Sequence, residues 1–121
     1  MRDIQRVLEL WSGWAVSYRL DIYYPSIAAG FKELLPITSN TRPCCTDNDA
    51  LIIEGCLARL KEKRPYEYEL IILHYLYRLS KRKIAKHQKK DEKLIRIEMQ
   101  MAEGFIEGCL SMLNIKLECE V

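Results

Sequence analysis

The sequence predicts an all-α protein, a compact helical domain that contains a helix-turn-helix and ends in a short C-terminal tail. Three observations lead there. Apolar residues recur at intervals of three and four along most of the chain. Only five Gly and four Pro interrupt it, so the elements between them are long. A chain of 121 residues with 49% hydrophobic and 30% charged side chains can build one core but not two ordinary ones. Residues 1–121 are therefore expected to form a single domain.

The first helix is expected over residues 3–18. Ile4, Val7, Leu8, Trp11, Trp14, Ala15 and Tyr18 repeat there at helical spacing, with Asp3 able to cap the start. After a connection at Asp21–Tyr24, Pro25 suits the first turn of a short helix through Ile27, Ala28, Phe31, Leu34 and Leu35, which Pro36 stops. The polar run from Thr38 to Pro43 has no hydrophobic period, so residues 36–46 are predicted to form a mobile surface loop. The next helix begins at Asp47 or Asp49 and carries Leu51, Ile52, Cys56, Leu57 and Leu60. Its acidic start and its basic end, at Lys61, Lys63 and Arg64, match the helix dipole.

Pro65 opens a helix over residues 66–77. The run Leu70-Ile71-Ile72-Leu73 is locally compatible with a strand, but the length and charged flanks favour a buried helix. Ser80 is a good cap for a helix containing Ile84 and Ala85. Asp91 caps a longer one with Leu94, Ile97, Met101, Phe105 and Leu110 as its apolar positions. Gly104 and Gly108, one turn apart, bend that helix or admit a neighbour. The tail Ile115–Val121 alternates apolar and polar, as a short strand or an extended arm would.

Several function classes are disfavoured. The N-terminus has no apolar core of signal-peptide length, and no run approaches a membrane span, so a cytoplasmic protein is expected. Adjacent Cys44 and Cys45, with Cys56, Cys109 and Cys119, make an odd count that does not suit a disulfide framework. No Cys pair has zinc-ligand spacing and neither His74 nor His87 sits at finger spacing, so no metal is expected and the thiols are read as free and largely buried. No Gly-rich phosphate loop or catalytic spacing around either His points to an enzyme or a cofactor.

The charge distribution is more informative than the net +2. From Arg78 to Arg96 there are nine cations against two carboxylates, a local +7 that leaves −5 for the rest of the chain. Such a block suits a polyanion, although a solvated lysine-rich helix surface carries the same charge. Residues 66–110 have the layout of a helix-turn-helix like the promoter-reading region of bacterial sigma factors. In that motif a first short helix crosses the DNA backbone and a second enters the major groove. Lys81, Arg82, Lys83, Lys86, Lys89 and Lys90 are then candidates for phosphate contacts, which supply affinity and register. Glu92, Lys93, Arg96 and Gln100 are candidates for base contacts, the last three on one side of the second helix. Ile84, Ala85, Leu94, Ile95 and Leu110 would hold the pair against residues 66–77. Glu92 and Arg96 are also spaced as a surface ion pair. Gln88 and Lys90 stand where the motif usually has apolar residues, so the turn is looser than usual or a boundary is shifted by one.

The blocks MRDIQRVLELWSGWA, SIAAGFKELL, RPCCTDNDALIIEGCLARLK and AEGFIEGCLSMLNIKLE resemble the antitermination protein Q family of lambdoid phages and prophages over essentially the whole chain. The resemblance implies a factor that binds double-stranded DNA at an element near a phage late promoter, with self-association on that DNA open. It implies engagement of paused host RNA polymerase in the bacterial cytoplasm and read-through of terminators, in one Q group by narrowing the RNA exit channel. Trp11, Trp14, Tyr18, Tyr23, Tyr24 and the 36–46 loop are candidates for polymerase contact, with core packing the alternative for the tryptophans. The rivals are a conventional helix-turn-helix repressor or activator with no role in elongation, and a basic face that meets an acidic protein.

Overall fold

A computed structural model describes residues 3–18, 43–114 and 116–118. Helix α1 spans Ile4–Tyr18. Asp3 caps it, its Oδ1 accepting the Arg6 N–H at 3.2 Å. Val7, Leu8, Trp11, Trp14 and Ala15 of the expected stripe face the core, Ile4 is half-buried, and the Tyr18 side chain lies outside what the structure describes. Both tryptophans are buried, and their indole N–H groups donate to the second helix, Trp14 to Asp47 Oδ1 at 2.8 Å and Trp11 to Glu54 Oε1 at 3.4 Å. That geometry satisfies the polar edge of each ring while its apolar body is buried.

The short helix expected between Pro25 and Pro36, and residues 36–42 of the expected loop, lie outside the described residues. The loop's last residues are pinned: Cys45 is buried and its N–H donates to the Leu10 carbonyl at 3.2 Å. Thr46 caps α2, Asp47–Lys63, by accepting the Asp49 N–H at 3.2 Å. Here the expected stripe needs correcting, because Leu51 is 60% exposed whereas Ile53 is fully buried. Three consecutive apolar residues, Leu51-Ile52-Ile53, cannot all face one side of a helix, and the partner helices select the third.

Pro65 occupies the first turn of α3, Pro65–Ile71, whose helical path continues from Ile72 to Leu76 with π-type hydrogen bonding. No residue pattern over 66–77 signals this change of register. Leu70, Ile71, Ile72, Leu73 and Leu76 are fully buried, so the run with strand-like composition is the central helix of the domain. It packs on α1, on α2 and on α5, the long last helix over Glu92–Leu113. A central helix with neighbours on several sides needs no polar face. The Tyr75 hydroxyl donates to the buried Glu103 Oε2 at 2.5 Å, and Gln5 Nε2 donates to the other oxygen at 3.5 Å. Burial, and then that carboxylate, push the Tyr75 phenol far above its usual titration range.

The tail is neither a strand nor a free arm over its described residues 116–118. Leu117 is fully buried, and the Glu118 N–H donates to Asp49 Oδ1 at 2.8 Å. Asn48 Nδ2 donates in turn to Glu118 Oε1 at 3.0 Å. Glu118 thus closes onto the first turn of α2. Cys56 is buried, Cys109 is half-buried and Cys44 is exposed. Among the described residues no helix is long and apolar enough to cross a membrane.

Candidate nucleic-acid interface

Two helices meet at a tight turn on one side of the central helix. Helix α4 spans Lys81–Gln88 and starts at Ser80, whose Oγ accepts the Lys83 N–H at 3.1 Å. Lys89 ends it in the left-handed region, at φ 58°. The Lys90 N–H reaches back to the Ala85 carbonyl at 2.9 Å and the Lys89 N–H to that of Lys86 at 3.3 Å, a Schellman closure. Asp91 caps α5, its Oδ1 accepting the Lys93 N–H at 3.0 Å. Both caps, and the turn at 89–91, stand where the sequence places them. Ile84 and Ala85 of α4 and Ile95 and Met99 of α5 are buried and hold the pair to the body.

Gln88 and Lys90, the two positions that do not fit the usual apolar pattern, are joined by a residue from α3. Tyr66 presents its hydroxyl 2.7 Å from Gln88 Oε1 and 3.3 Å from Glu98 Oε1, and accepts from Lys90 Nζ at 2.8 Å. The ammonium also lies 4.0 Å from the ring centroid. A polar clasp therefore does the work of an apolar plug across the turn. Burial outweighs the ammonium and raises the Tyr66 phenol above its ordinary value, while the bond to Tyr66 raises Lys90. No local spacing announces this clasp, because its members are spread over residues 66–98.

The other candidate side chains divide clearly. Arg82, Lys83, Lys86, Lys89, Lys93, Arg96 and Gln100 are exposed, and Lys81 and Glu92 are half-buried. Arg82, Glu92 and Arg96 come together: Arg96 Nη2 lies 2.6 Å from Glu92 Oε2, and Arg82 Nε lies 3.6 Å from Oε1. The bond from Arg96, aided by Arg82, holds the Glu92 carboxyl below its usual range. Lys90 is set apart from the remaining lysines by its place in the clasp.

One expectation for α5 is wrong. Leu94, Ile97 and Met101 are 44%, 46% and 48% exposed rather than packed inward, and the buried stripe runs through Ile95, Met99, Ala102, Ile106 and Leu110. The helix is rotated by one residue from the reading, because Leu94-Ile95 offers two equivalent choices and packing takes the second. Ile97 is four residues beyond Lys93 and three before Gln100, so all three share the outer face. It is a candidate contact residue that the sequence reading placed in the core.

The family model for phage antitermination protein Q matches residues 1–118. The Probable antitermination protein Q of Acyrthosiphon pisum secondary endosymbiont phage 1 is 48% identical over 120 residues, covering 98% of this chain and 81% of that protein. The prophage antitermination protein Q homolog QuuD of Escherichia coli is 41% identical over 121 residues, covering 100% of this chain and 95% of that protein. Among solved structures, transcription antitermination factor Q21 in complex with Q21-binding-element DNA superposes with a TM-score of 0.70 at 21% identity, over 90% of this chain and 87% of that one. At that identity the superposition establishes a shared fold. The match across nearly the whole length and the identity of the phage and prophage relatives establish more: this chain belongs to the phage antitermination protein Q family.

Proposed function

We propose that this protein is a phage late-gene antiterminator that binds double-stranded DNA through α4 and α5 and is loaded from there onto RNA polymerase. The observation that carries the DNA reading is the capped α4–turn–α5 unit, which exposes Arg82, Lys83, Lys86, Lys89, Lys93 and Arg96. Lys81, Arg82, Lys83, Lys86 and Lys89 are assigned to phosphates, with Lys90 a contact that must leave or share its clasp. Lys93, Arg96, Gln100 and Glu92 are assigned to base edges in the major groove. Exposed Ile97 adds an apolar side chain suited to a thymine methyl group. The related factor whose structure was solved on its binding-element DNA supports this reading.

Family membership supports the elongation role. Polymerase held near the promoter would receive the protein, which would travel with it and suppress terminator hairpins, with constriction of the RNA exit channel as the proposed means. Burial of Trp11 and Trp14 supports core packing as their role rather than contact with polymerase. Transcription in vitro through a terminator placed downstream of a cognate late promoter tests the proposal. Added protein is expected to raise read-through only when the DNA element is present. Unchanged read-through together with tight, specific DNA binding would leave a conventional repressor or activator.

A further inference from the structure

Beside the helix-turn-helix, a recess of about 510 Å³ is lined by His74, Ser80, Lys81, Arg82, Glu92 and Arg96. It lies where the central helix ends and α4 and α5 begin. Three cations and one carboxylate share its walls, and Glu92 pairs with Arg82 and Arg96, so the recess keeps a net positive charge that suits an oxyanion beside these groups. His74 is half-buried in the wall, with Nδ1 2.9 Å from the Leu79 carbonyl. A carbonyl only accepts, so Nδ1 carries a hydrogen and Nε2 is the nitrogen that takes up a further proton. Ser80 Oγ accepts in its cap, which leaves its hydroxyl hydrogen to donate elsewhere.

We propose that this recess seats one phosphodiester of duplex DNA, bonded by the Arg82 guanidinium, the Ser80 hydroxyl and the Nε2–H of protonated His74. This rests on the DNA-binding reading above and adds to it a site and a proton. Charged and titratable groups line the two recesses that His74 borders. Glu9 of α1 and Tyr75 and Arg78 of its own segment line an adjoining recess, Lys81 and Arg82 come from α4, and Glu92 and Arg96 from α5. A phosphate offsets those cations, so phosphate and proton bind together. Because binding takes up a proton at His74, affinity gained this way falls as pH rises.

The test uses the whole chain and a duplex of arbitrary sequence, because a phosphate contact does not depend on base identity. Binding is measured at fixed ionic strength from about pH 5.5 to 8.5, the span around imidazole titration. The chain has two histidines, which makes the assignment tractable. The parent is expected to bind about tenfold tighter at the acid end, as one added charge-assisted bond allows. His74→Asn, whose amide can still donate to the Leu79 carbonyl but has no atom at Nε2, should lose most of that gain, and His87→Asn should keep it. Equal profiles for the parent and His74→Asn would overturn the proposal. As a measurement independent of folding in the variant, the His74 ring resonances of the parent should titrate at higher pH with duplex than without; no displacement also overturns it. A parent that fails to bind duplex in low salt at any pH removes the DNA-binding reading itself, whereas binding with a profile independent of His74 removes only the phosphate seat.

Discussion

Tyr66 shows how one side chain can set the geometry of a motif 20 or more residues away. Its hydroxyl meets Gln88 before the turn and Lys90 after it, and Glu98 completes the set. Removing the hydroxyl in Tyr66→Phe is expected to cost about 1 kcal/mol, read from the denaturant midpoint, because it leaves part-buried Gln88 and Glu98 groups short of a partner. The exposed cations separate in the same way. Lys86 is exposed on α4, so Lys86→Ala should weaken binding to every duplex and lower the salt slope by about 0.9. Arg96, on the outer side of α5, should behave differently. Arg96→Ala is expected to cost about 1–3 kcal/mol on the target sequence and to relax preference at one base pair. Parent-like binding of the target by both variants would misplace the reading head.

The turn between α4 and α5 is where local and functional demands on an element compete. Lys89 holds a left-handed conformation that favours glycine, at φ 58°. Lys89→Gly should therefore raise stability by about 0.5–1 kcal/mol, measured by equilibrium unfolding. The same change removes a cation from the proposed phosphate face, so duplex affinity should fall. Stability and affinity moving in opposite directions would identify Lys89 as a residue kept for its charge, while a fall in both would count against that role. On α5 the outer face mixes Lys93, Arg96 and Gln100 with exposed Ile97 and Met101. That mixture made its apolar period ambiguous.

At the scale of the molecule, the described helices pack around a central one, and Leu117 and Glu118 dock on them. Leu117 is fully buried and Glu118 is bonded to Asp49 at the start of α2. Leu117→Ala is expected to cost about 2–5 kcal/mol and to lower the unfolding midpoint, whereas an unpacked tail would tolerate it. The sequence by itself determined what is settled within a few residues: Asp3, Ser80 and Asp91 mark helix starts and Pro65 opens a helix, because a cap or a fixed φ acts on the next three or four residues. It also placed the basic block and the turn, since charge and sequence position need no partner. Tertiary structure alone decided which of two adjacent apolar residues turns inward, as at Leu94 and Ile95, and how the tail docks. It also decided the Tyr66 clasp and the recess at His74. Each of those depends on side chains brought together from distant parts of the chain, and burial is a property of the neighbours a fold supplies rather than of the residue being buried.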